Sequence, residues 1–206
     1  PFTLSNVGRF YPAYFQMSLA STTNACSGFS YMGQSGIGID YRLLAHKTGG
    51  GQVLNYNGAF AKATMSLVAE NDNDGGAYQD RLIDGSSLDT WINGQFDFTF
   101  SGNFSRAIIV DGPFQTLETG IVLLDNDGGL SELIGLDMKA DANTNCGVAG
   151  DCNAKKIGDL DVRFGQLTLG NAFGPETFAL NMSVQTEYFD GSDFILNSDD
   201  ICTSLS

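Results

Sequence analysis

The segments Phe96-Asp97-Phe98-Thr99-Phe100 and Phe178-Ala179-Leu180-Asn181-Met182-Ser183-Val184 decide the fold class. In both, large apolar side chains fall on every second residue and polar or small ones lie between them. Successive side chains of a β-strand point to opposite faces, so each segment predicts a strand with one apolar and one wet face. No window of a dozen residues carries the i, i+3, i+4, i+7 apolar stripe that an amphipathic helix needs.

Working outward, strands are also expected at Tyr14–Leu19, Phe29–Met32, Val53–Ala61, Ala63–Val68, Arg106–Val110, Gly120–Leu124, Asp161–Leu169 and Phe194–Leu196. The punctuation between them is rich in Gly, Asp and Asn: 48–51, 71–76, 83–86, 111–113, 126–129 and 190–192. Asn and Asp tolerate left-handed backbone, and Gly has no Cβ to clash there, which makes these residues chain reversers. About ten short strands joined by such turns predict an all-β fold, an antiparallel β-sandwich or related barrel with long loops. A short helical turn fits at most within Leu82–Trp91, and the polar stretch Asp137–Asp159 reads as a long loop. Residues 1–206 form one β domain in this reading, a mature or excised segment of a larger surface protein.

Composition narrows the function. The chain has 206 residues, 10 Lys plus Arg against 24 Asp plus Glu, and a formal net charge of −14. Such a surface repels nucleic-acid phosphates and anionic lipid. Apolar residues reach 42%, enough for a packed core, so whole-chain disorder is excluded. No run approaches the ~18 apolar residues of a membrane-spanning helix. His46 is the sole histidine, and no Gly-x-Ser-x-Gly elbow or phosphate-cradling loop occurs, so the expectation is a protein that is not an enzyme, with no catalytic residues.

The four cysteines are Cys26, Cys146, Cys152 and Cys202. Four permit three pairings. With no Cys-x-x-Cys and one histidine, disulfides in an extracytoplasmic setting are expected ahead of zinc or redox chemistry. A local bridge between Cys146 and Cys152 would staple a short loop, and Cys26 with Cys202 would then enclose most of the chain.

Two acidic Gly loops are candidate calcium sites: Asp72 and Asp74 in 71–76, and Asp125 and Asp127 in 125–129. Calcium takes 6–8 oxygen ligands from a tightly curved backbone, which closely spaced carboxylates followed by Gly supply. Neither loop completes an EF-hand, because counting from Glu70 puts Arg81 at the twelfth position, where a bidentate Glu belongs. Asp137, Asp141, Asn143 or Asp159 are the supplementary ligands expected. Trp91, beside Asp89 and Asn93, and Tyr188, beside Asp190, are candidate sugar-stacking residues, since sugar C–H faces stack on aromatic rings.

Six ordered segments add a resemblance. They are Val7–Pro12, Phe29-Ser30-Tyr31-Met32-Gly33-Gln34, Asn55–Gly58, Gly112-Pro113-Phe114, Arg163-Phe164-Gly165-Gln166-Leu167 and Asn197-Ser198-Asp199-Asp200-Ile201-Cys202-Thr203. Together they resemble the MshQ-like domain associated with mannose-sensitive haemagglutinin (type IV) pili of Gram-negative bacteria. The resemblance implies an extracellular, bacterial cell-surface role in adhesion or a pilus, transfers no catalytic residue, and implies the Cys26–Cys202 pairing. The expected partners are a surface glycan or other pilus and adhesin components. The alternatives are a calcium-assisted carbohydrate-binding module, or a filament subunit that self-associates by strand addition through Pro1–Leu4 or Phe194–Leu196.

Overall fold

The computed structural model describes residues 11–72, 76–83, 90–127, 131–140, 146 and 151–204. Twelve strands follow in chain order: β1 (Tyr14–Thr23), β2 (Ser30–Tyr31), β3 (Ile37–His46), β4 (Ala63–Asn71), β5 (Leu82–Ile83), β6 (Gln95–Phe104), β7 (Phe114–Asp125), β8 (Glu132–Leu133), β9 (Lys155–Arg163), β10 (Gly165–Leu169), β11 (Val184–Phe189) and β12 (Phe194–Leu196). The only helical pieces among the described residues are single 3₁₀ turns at Gly58–Phe60 and Gln79–Arg81.

The strands form three sheets. One has the order β5-β6-β3-β1-β8, a second β2-β9-β7-β4, and a third β10-β11-β12. Pairing is antiparallel except for the two-residue ladders β1–β8 and β2–β9. The first two sheets pack face to face. Ile37, Ile39, Tyr41, Leu43 and Ala45 of β3 are buried and alternate with half-buried residues. They share one apolar core with Leu117 and Ile121 of β7 and Leu160 and Val162 of β9. Phe189 and Phe194 of the third sheet pack against the same core. The all-β sandwich is therefore the observed architecture.

The strand around Phe96, Phe98 and Phe100 is β6, paired to β3 so that Phe98 stacks on Tyr41 at 4.8 Å between centroids. β3 lies outside the segments expected as strands, although its period-two pattern is the most regular of all. Three expected strands are not strands. Val53–Ala61 is a loop carrying the first 3₁₀ turn, and Arg106–Val110 is an exposed bend with Ile108 and Ile109 in solvent. The third runs from Phe178: there, 178–183 is exposed coil and pairing starts only at Val184. Alternation supplies two faces but no hydrogen-bond partner, and an unpaired segment is not a strand. The second 3₁₀ turn precedes Leu82, which itself begins β5; residues 84–89 lie outside the described set.

The expected strand Asp161–Leu169 is two strands in two sheets. β9 ends at Arg163, Phe164 makes the corner, and β10 begins at Gly165. A side chain at position 165 would run into the ring of Tyr31, so only Gly lets the chain turn under that ring. The expected long loop 137–159 is shorter than predicted, since Met138 bridges Ala154 and β9 begins at Lys155.

Candidate functional site

The β9–β10 corner gathers the densest polar network of the described residues. Arg163 is 9% exposed although charged. Its Nε and Nη2 donate to the Asp161 carboxylate at 2.8–3.2 Å, and its Nη1 donates to Asn197 Oδ1 and to Asp199 Oδ2, both at 3.0 Å. The guanidinium lies between the rings of Phe29 (4.5 Å) and Tyr188 (4.7 Å). Edge donors meet carboxylates and an amide oxygen while two aromatic π-clouds lie against the cation, a combination that a guanidinium is suited to make. Burial pulls the guanidinium pKa down, but Asp161 and Asp199 outweigh it and hold the cation above its usual range.

The network continues through Asn197, which is 4% exposed. Its Nδ2 donates to the Tyr31 hydroxyl at 2.6 Å, and that hydroxyl donates to Asp200 Oδ2 at 3.0 Å. Burial, then Asp200, push the Tyr31 phenol above its ordinary value. Asp200 Oδ1 accepts the backbone N–H groups of Cys202 and Thr203 at 2.9 Å. Cys202 is bonded to Cys26, so the chain of contacts closes on itself. The register Tyr31↔Arg163 of the β2–β9 ladder makes the loop possible.

Two more arginines stand on aromatic rings nearby. Arg81 sits 4.3 Å from the centre of the Phe104 ring, pairs with Asp111 and donates to Ser105 O. Arg106 sits 3.8 Å over Phe164 and lines a cleft of about 320 Å³ with Tyr31, Met32, Gln166, Leu167 and Thr186. The arrangement clamps segments together; it assembles no nucleophile beside a base. His46, the last residue of β3, stacks on Tyr14 in the five-stranded sheet, to which neither β9 nor β10 belongs.

Burial raises the Asp200 pKa, but hydrogen bonds from the Thr203 hydroxyl, the Thr203 and Cys202 N–H groups and Tyr31 prevail and bring it to about 2, from an ordinary 3.8. A depressed carboxyl stabilises the fold above its unfolded pKa and loses that contribution as pH falls through the folded one. The stability difference between the parent and Asp200→Asn should therefore shrink between pH 4 and pH 2. Screened by solvent, it amounts to roughly 1 kcal/mol at neutral pH. Melting curves of both proteins at pH 6, 4, 3 and 2 check this, and a difference independent of pH would refute it.

The disulfides are Cys26–Cys202, separated by 176 residues, and Cys146–Cys152, separated by six. Cys26, Asp200 and Cys202 also lie close enough to suggest a metal cluster. Both sulfurs are engaged with each other, so only the Asp200 carboxylate has donor capacity there.

The other candidates fall elsewhere. Trp91 is 6% exposed, packs on Phe15, Tyr56 and Phe96, and donates its N–H to Ala63 O at 3.3 Å. It is a core residue with no free face for a sugar. Tyr188 is half-buried and has the Arg163 guanidinium over its ring. Asp72 and Asp125 stand at opposite ends of the β4–β7 ladder, whose register runs from Ala63↔Asp125 to Asn71↔Leu117. At ~3.4 Å per residue the two ends of the ladder are about 27 Å apart, so Asp72 and Asp125 cannot share an ion. Asp74, Asp141 and Asn143 lie outside the described residues. Asp137 is paired with Lys155 and Asp159 with Lys156.

Arg163, Asn197, Asp199 and Tyr31 were not legible as a site. Each belongs to one of the segments that carry the resemblance, but separations as large as 166 residues, between Tyr31 and Asn197, leave no local spacing to read.

Comparison with known proteins divides the chain at this corner. Residues 2–153 match the family model "DUF6701, third domain", and residues 163–206 match "DUF6701, fourth domain". No curated protein and no solved structure matches the chain.

Proposed function

The chain belongs to the DUF6701 family, and from that premise we propose that it is a non-enzymatic, extracellular structural domain of a bacterial surface appendage or adhesin, one associated with a pilus. The observation that carries the proposal is the Arg163 corner. Arg163 and Asn197 both fall in the stretch that matches the fourth domain, and they tie it to Phe29 and Tyr31 in the stretch that matches the third. The Cys26–Cys202 bridge closes the same joint covalently. A joint held by an ion-pair network, two stacked rings and a disulfide resists bending between the two parts, which suits a spacer or tip exposed to shear. Disulfides persist in oxidising compartments, which supports placement outside the cytoplasm.

In cells that make the full-length protein, this region should react with a membrane-impermeant amine reagent. Its four cysteines should resist alkylation until a reductant is added. Free thiols, or protection from the reagent in intact cells, would overturn the assignment.

Strand addition is a second reading, favoured by β10, an edge strand with no outer partner among the described residues; Phe194–Leu196 is the other edge of the same sheet, and Pro1–Leu4 lies outside the described residues. Gly170 N–H donates to Ser183 O and Phe189 N–H to Phe164 O, so even-numbered residues of β10 face β11. The N–H and C=O groups of Gly165, Leu167 and Leu169 then point outward from the sheet, and the side chains of Leu167 and Leu169 are 54% and 60% exposed. An apolar edge of that kind is a template for another strand. If it is used, sedimentation should show concentration-dependent association that Leu167→Lys with Leu169→Lys abolishes. A monomer at all concentrations would remove this reading.

A further inference from the structure

The acidic end of β7 contains a buried oxygen that no donor reaches. Asp125, the last residue of β7, is 4% exposed. Its Oδ1 accepts the Asp127 N–H at 3.1 Å, whereas Oδ2 is buried and accepts no hydrogen bond. No Lys, Arg or His pairs with it among the described residues. A carboxylate oxygen withdrawn from water without donor or cation is expensive, and buried charges are normally paired or bound to metal. The neighbourhood adds negative charge instead of relieving it. Asp127 stands two residues on, and the field of both carboxylates reaches the Tyr56 phenol.

We infer that Asp125 and Asp127 bind one calcium ion at this end of the sandwich, with the orphaned Asp125 Oδ2 as its anchoring ligand. The donor set is all oxygen, which suits a hard cation and not zinc. Asp125 also lines a cleft of about 300 Å³ with Ser131, Glu132 and Asn153, a route by which an ion reaches the buried carboxylate. Two carboxylates, with carbonyl or water oxygens completing the shell, place the affinity in the extracellular class, on the order of 0.1–1 mM. Asp72 at the far end of the ladder is no part of this site.

Aromatic rings near the site provide a direct readout. The Tyr56 ring centre lies 5.0 Å from that of Trp91, and both can sensitise a bound lanthanide. Terbium titration of the full chain should give sensitised emission that calcium displaces, and 10 mM calcium should raise the melting temperature by about 4–7 °C over EDTA. Asp125→Asn should lose both responses while melting in EDTA at or above the parent temperature, because it removes an uncompensated buried charge. Asp127→Asn should weaken both responses at least tenfold, and Asp72→Asn should leave them unchanged. Absence of terbium emission and of a calcium shift in the parent, or responses that survive Asp125→Asn, would overturn the site.

Discussion

Replacing Arg163 by Met should cost roughly 3–5 kcal/mol of stability, among the largest effects of any single substitution in the chain. Methionine preserves much of the apolar contact with Phe29 and Tyr188 but strips Asp161, Asp199 and Asn197 of their shared donor. Asp161 and Asn197 are the costly members, since Asn197 is 4% exposed and would leave a buried carbonyl oxygen unmet. Arg163→Lys should recover less than half of the loss. An ammonium cannot reach a carboxylate bidentately, donate to Asn197 and Asp199, and stack between two rings at once. Chemical denaturation of the three proteins measures the series, and a loss under 1 kcal/mol for Arg163→Met would mean that the corner does not hold the joint. Proteolysis adds a spatial readout: cleavage should appear first between β10 and β12 if the small sheet detaches before the sandwich unfolds.

Removing the Cys26–Cys202 bridge, by Cys26→Ser with Cys202→Ser, should destabilise the protein by about 2–5 kcal/mol, or roughly 4–20 °C in melting temperature. The closed segment spans 176 residues, so the bridge removes a large share of the conformational freedom of the unfolded chain. Cutting Cys146–Cys152 instead should change the melting temperature far less, because a bridge between residues six apart removes little conformational freedom from the unfolded chain. Equal effects of the two deletions would show that the long bridge does not stabilise through chain restriction. Combining the long-bridge deletion with Arg163→Met should give a loss that differs from the sum, since Asp200 and Tyr31 connect the two features in one network.

The legible part of this protein was its local chemistry. Alternation at Phe96, Phe98 and Phe100 named β6, the β-branched and apolar runs before and after the Gly-Asp turns named β4 and β7, and the cysteine count pointed to covalent bracing. Each of these signals lies within a few residues, where side-chain direction and backbone preference are set by neighbours in the chain. The same logic failed at Phe178, Leu180 and Met182. Their period is as clean as that of β6, yet among the described residues they pair with no strand and stay exposed. It also passed over β3, whose place at the centre of the five-stranded sheet shows only once β1 and β6 flank it.

What the amino-acid order alone determined was therefore a set of two-faced strands, their turns, an acidic surface and an even number of cysteines. The folded molecule decided which strands pair, that the β9–β10 run breaks at Phe164 into two sheets, that Trp91 lies in the core, and that the two acidic loops stand at opposite ends. It also decided that Tyr31, Asp161, Arg163, Asn197 and Asp199 meet. The physical reason is one of range. Strand propensity is a property of successive residues, whereas register and burial depend on hydrogen bonds and contacts between segments far apart in the chain, and those exist only when the sheets have closed on each other.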